Sequence, residues 1–169
     1  SAPVSVWQID GFPFTPAHMV AFEWVYGNGS PNPWMTRYTD YALRYRAIGM
    51  NGYDATGNGA AYARMTSINE LLPTPVNLGA VKKMIYQVLL QNIMSRGLLQ
   101  MPHVEYVFKQ MVKYESPEPP KLKQDLVMMF FVLAAMLQPH FYVDTGGNEE
   151  GSPKNEDRYT PTEGSDRLA

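Results

Sequence analysis

Cysteine is absent from this 169-residue chain, which excludes disulfides, thiol nucleophiles and cysteine-ligated zinc. Histidine is scarce. His18, His103 and His140 lie far apart, and none belongs to an H-E-x-x-H or similar zinc-ligand pattern. His103-Val-Glu105 offers two ligand-type side chains, but two residues apart on a helix they point in different directions. No G-x-S-x-G nucleophile elbow occurs, and no nucleophile–base pair emerges from spacing. Together these absences give the expectation of a non-enzyme with no cofactor and no metal.

Positive charge is also thin. Lys+Arg total 14 against 16 Asp+Glu, a net -2, which gives no electrostatic footprint for nucleic acid. The first basic residue is Arg37, so residues 1–36 read neither as a signal peptide nor as an Arg-rich presequence. Internal repeats and a sustained alternating pattern are missing too, so the expected fold class is all-α.

What the chain has in excess is methionine, 11 residues, and aromatics, with 3 Trp, 11 Tyr and 7 Phe. Both classes suit irregular contact surfaces and membrane interfaces. The small net charge hides an asymmetry: residues 144–169 hold seven acids and three bases, and residues 1–143 hold nine acids and eleven bases.

The pattern divides the chain into five segments. Residues 1–35 are Pro-rich, aromatic and extended, with a short helix over about Ala17–Tyr26 opened by Thr15-Pro16. Residues 36–115 form a helical body. Its first helix, Thr36 to Ile48, places Tyr38, Tyr41, Ala42, Tyr45 and Ile48 on one face. After a Gly-rich loop, 49–59, a further helix covers Ala60–Leu72. Thr74-Pro75 then starts a helix over Val76–Arg96 with a stripe of Leu78, Val81, Ile85, Val88 and Leu89, and Gly97 stops it. Pro102–Tyr114 is amphipathic through Val104, Val107, Phe108, Met111 and Val112. Residues 116–123 are a stiff Pro-rich linker. Residues 144–169 have almost no aliphatic side chains and are expected to be disordered or to adhere to a partner.

Between linker and tail lies the segment 124–143. Leu126 to Val143, LVMMFFVLAAMLQPHFYV, holds no Asp, Glu, Lys or Arg, and as a helix it spans about 27 Å, enough to cross a hydrocarbon core. Lys121 and Lys123 guard one end. Phe141 and Tyr142 stand where a span leaves lipid, and Phe130 and Phe131 are counted with them as partner or membrane contacts. The expectation is one membrane-inserted helix, with the body on the lysine side and the acidic tail opposite. The alternative is a buried core helix, because the uninterrupted apolar part is only Leu126–Leu137 before Gln138, Pro139 and His140.

Weaker signals have plainer accounts. Gly52 to Gly57 has the spacing that opens a P-loop, but Asn58-Gly59 stands where Lys-Ser/Thr is needed, and Tyr62 breaks the dinucleotide pattern. A flexible connector is the reading taken. Asn28-Gly29-Ser30 fits a glycosylation site formally, but Pro31 follows it. Asp125 favours the dipole at a helix start and needs no proton-relay role. Tyr38, Tyr41, Arg44 and Tyr45 are the residues chosen for a partner-contact face, because Tyr and Arg anchor interfaces.

A helical body, the linker SPEPPKLK at 116–123, a lone apolar segment and an acidic tail resemble supernumerary subunits of mitochondrial inner-membrane complexes. The likeness is architectural, covers about residues 74–150, and is nearest to the lineage-specific ATP synthase subunits of euglenozoan protists. It implies a structural accessory subunit of the inner membrane, body in the matrix and tail in the intermembrane space. Such a subunit packs its helices 76–96 and 102–114 on other subunits or on each other, touches phospholipid such as cardiolipin, and helps shape the assembly without moving protons. No functional residue carries over from that likeness. The runner-up expectation is an all-helical interaction module with 126–137 as its core.

Overall fold

The N-terminal segment is where the chain departs most from an all-helical fold. In the computed structural model, which describes residues 2–25, 31–56, 70–115 and 124–143, strand β1 (Ala2–Gln8) pairs antiparallel with β2 (Ala17–Val25). Pro3 lies opposite Trp24 and Val6 opposite Ala21, and a bulge before Trp7 shifts the register so that Trp7 meets Met19. Val and aromatic residues fill both strands, and such side chains fit a half-buried pleat. The connecting turn closes on the Gly11 carbonyl, which accepts from Phe14 and Thr15 at 2.8 and 3.0 Å. Gly11 has φ +75°, a conformation that suits glycine.

Helix α1 (Pro31–Arg44) follows. It ends in a Schellman arrangement, with Ala47 N–H donating to Ala42 O at 2.8 Å and Arg46 in the left-handed region at φ 56°. Strand β3 (Gly52–Asp54) then pairs in parallel with β4 (Thr74–Val76), Gly52 against Thr74. Thr74-Pro75-Val76 therefore joins a sheet instead of capping a helix. Helix α2 (Ala80–Ser95) starts four residues later than Val76 and stops at Gly97, φ +68°. Strand β5 (Leu99–Gln100) adds a parallel edge to β2, giving the order β1-β2-β5. Helices α3 (Glu105–Val112) and α4 (Asp125–Val143) complete the described residues.

Among the described residues, four helices and five strands in two sheets overturn the all-α expectation. The membrane-spanning expectation is overturned as well. No helix among the described residues is long and apolar enough to cross a membrane. Helix α4 packs instead against β1, β3, α2 and α3. Leu126, Val127, Phe130, Phe131, Ala134, Leu137 and Phe141 are buried, and every residue between them is at least half-buried up to Gln138. Phe130 is 0% and Phe131 1% exposed. A helix covered by its own chain on all sides needs no polar face, which explains a composition that otherwise suits lipid. Aromatic packing ties it in: Trp7 meets Phe130 edge-on at 6.1 Å, and Tyr114 meets Phe131 edge-on at 5.3 Å.

The start of α4 is held by amides. Leu126 N–H donates to Gln110 Oε1 of α3 at 3.2 Å, and Gln124 Nε2 donates to Glu115 O at 3.2 Å, with Gln124 only 1% exposed. Asp125 occupies the first turn, where a carboxylate favours the helix dipole.

Candidate docking face

Helix α2 carries more apolar residues than one face can bury. Tyr86, Leu89, Leu90 and Ile93 point into the core. Of the stripe read from the sequence, only Leu78 and Leu89 are buried. Val81, Met84, Ile85 and Val88 stand on the outer side at i, i+3, i+4 and i+7, with exposures of 72, 63, 44 and 65%. Single exposed aliphatic residues are ordinary, but a contiguous helical stripe is the pattern of a partner surface. The stripe borders a hollow of about 360 Å³ between α2 and the end of α4, where Phe141 forms the far wall and Asn92 the polar edge. Phe141 is packed against Phe12 at 6.3 Å, and the Arg96 guanidinium lies 5.1 Å over its ring.

The face first chosen on α1 is largely committed within the chain. Tyr38 donates to Asn51 Oδ1, and Asn51 in turn donates to the carbonyls of Ala47 at 2.6 Å and Leu71 at 2.9 Å. That hub ties α1 to the loop before β4. Glu23 on β2 pairs with Arg37 at 3.0 Å and accepts a hydrogen bond from the Tyr41 hydroxyl, which fastens α1 to the first sheet. Arg44 pairs with Asp40 at 2.6 Å and lies over the Tyr41 ring, while Tyr45 stacks on Tyr41 at 5.9 Å. Arg44 and Tyr45 remain exposed; Leu43, Ile48, Met50 and Leu72 are exposed nearby.

Burial, and next the neighbouring Tyr53, raises the Tyr38 hydroxyl well above its usual range. Burial first and then the Glu23 carboxylate raise that of Tyr41. Both shifts favour the protonated phenol in the folded state. Their contribution is present below the ordinary tyrosine pKa of about 10 and is lost as pH rises beyond it. Urea midpoints are therefore expected to fall above about pH 10, and Tyr38→Phe is expected to flatten that fall.

Of the residues assigned to membrane contact, three are described. Phe130, Phe131 and Phe141 are interior. Lys121, Lys123 and the Tyr142 side chain fall outside the described residues, as do the segment 116–123, the tail 144–169, Asn28-Gly29-Ser30 and Gly57–Gly59. Gly52 opens β3 against α4, so its glycine serves packing. His18 lies on β2, His103 stacks on Phe108 at 5.0 Å, and His140 is exposed near the end of α4. Among the described residues no group of three ligand-type side chains that could hold a metal is found.

The residue that sequence reasoning passed over is Met84. The signal for it was available, since apolar positions around α2 outnumber those of one stripe. Comparison with known proteins finds no family model, no curated protein and no solved structure that matches this chain.

Proposed function

We propose that this chain is a non-catalytic accessory subunit of a mitochondrial inner-membrane complex, with the membrane region of the ATP synthase as the assembly it serves. It attaches peripherally, through the outer face of α2. The observation that carries this reading is the exposed stripe Val81, Met84, Ile85 and Val88 beside an apolar hollow. Apolar burial there supplies affinity, and a partner's side chains fill the hollow. The mitochondrial part rests on the likeness of the linker 116–123, the apolar segment after it and the acidic tail to those of such subunits.

The test is native-gel migration of the tagged protein from mitochondria of its own source. The wild type is expected in a high-mass band with the complex and in the supernatant after carbonate extraction. Val81→Glu with Val88→Glu is expected to run free, while its unfolding free energy changes by less than about 1 kcal/mol because both sites are on the surface. Co-migration of the double variant, or a free wild type, overturns the reading. A second reading, an interaction module of some other assembly, shares the same face. It takes over if the high-mass companions are not inner-membrane subunits.

A further inference from the structure

The α2 face has a sign as well as a shape. Neither α2 nor residues 126–143 contain an Asp or Glu. Lys82 follows Val81 in the first turn of α2 and is exposed. Arg96 lies at the other end of α2, over the Phe141 ring that walls the hollow. Neither Lys82 nor Arg96 takes part in the ion pairs Arg37–Glu23, Arg44–Asp40 or Lys109–Glu105. We propose that the groove between α2 and the end of α4 receives an amphipathic helix of a partner protein whose apolar anchors are flanked by carboxylates. This rests on the docking reading above and adds the chemistry of the partner.

Three features favour that occupant. The anchors Val81, Met84, Ile85 and Val88 recur at the spacing with which one helix meets another in a groove. They cover about two turns, and Lys82 and Arg96 stand about 21 Å apart along the axis, so a helix of about four turns brings an acid to each. The hollow beside them has room for a side chain of such a helix. A second copy of this chain fits less well. Its own α2 brings no carboxylate, so pairing α2 with α2 leaves Lys82 and Arg96 unmatched.

The experiment uses the full chain and two synthetic helical peptides with identical i, i+3, i+4, i+7 leucines. One carries Glu near both ends and the other Lys, and binding is followed by fluorescence anisotropy. The acidic peptide is expected to bind about tenfold more tightly, as two rim ion pairs allow, with the difference shrinking in high salt. Lys82→Glu with Arg96→Glu is expected to reverse the preference. Val81→Ser with Val88→Ser is expected to abolish binding of both peptides.

Equal binding of the two peptides, lost in the serine variant, overturns the charged partner and leaves the docking face standing. Binding that survives the serine substitutions overturns both. Absence of binding by either peptide overturns the proposal. So does a dimer of the chain by light scattering that the serine variant dissolves. Sedimentation with cardiolipin–phosphatidylcholine vesicles, lost in the serine variant, overturns it in favour of lipid.

Discussion

Phe130→Ala lowers the unfolding free energy by about 3–5 kcal/mol, the range for emptying a large aromatic site in a packed core. The ring is fully buried in the middle of α4, edge-on to Trp7 at 6.1 Å. Its neighbours come from different parts of the chain: β1 supplies Trp7, and the hollow formed by Met94, Leu99, Met101 and Phe108 lies on another side. These walls cannot collapse together onto the space left, so the cavity cost adds to the lost transfer energy. Urea unfolding followed by tryptophan fluorescence measures both the midpoint and the changed environment of Trp7. A loss below about 1 kcal/mol would place the ring at a surface.

Gly52→Val costs about 2–3 kcal/mol through overpacking. A Cβ at Gly52 meets Met136 Sδ at 2.8 Å and Cγ at 3.0 Å, with Val132 Cγ1 at 3.3 Å. Strand β3 rests directly on α4, and the missing side chain is what permits that approach. Gly52→Ala is expected to be milder, about 1 kcal/mol, because the methionine thioether can swing aside. Met136→Ala in the Gly52→Val background should recover part of the loss, as a double-mutant cycle would record. Additive losses in that cycle would mean that the two residues do not press on each other.

The positions of these two residues also explain what the sequence made legible. Helices at α1, α2 and α3 follow from 3.6-residue periodicity and α4 from its apolar run; Gly97 marks the end of α2, whereas α1 runs Pro31–Arg44 instead of Thr36–Ile48. The β1–β2 pair is hidden in the sequence because Thr15-Pro16 imitates a helix start and HMVAFEW shows no clean alternation. Pairing with residues at the far end of a hairpin is a tertiary fact that a local window does not contain. Thr74-Pro75 misled in the same way, since a strand was waiting at Gly52. Around α2 the apolar residues cover too much of the circumference for periodicity to say which stripe turns inward. The core took Tyr86, Leu89, Leu90 and Ile93, and left Val81, Ile85 and Val88 outside. For α4 the ambiguity was one of surroundings. Leu126–Leu137 is as apolar as a bilayer requires, and composition does not distinguish lipid from neighbouring helices and strands.

Helix α4 holds the centre yet is the last described element, and its contacts reach back to β1, with Trp7 and Phe130 more than a hundred residues apart. The apolar surfaces of β1, β3, α2 and α3 that α4 covers are therefore expected to stay uncovered until residues 124–143 are available. Such long-range closure slows folding and invites chaperone capture. A nascent chain stalled before residue 124 would stay sensitive to protease over β1 and α2, and one released beyond residue 143 would not.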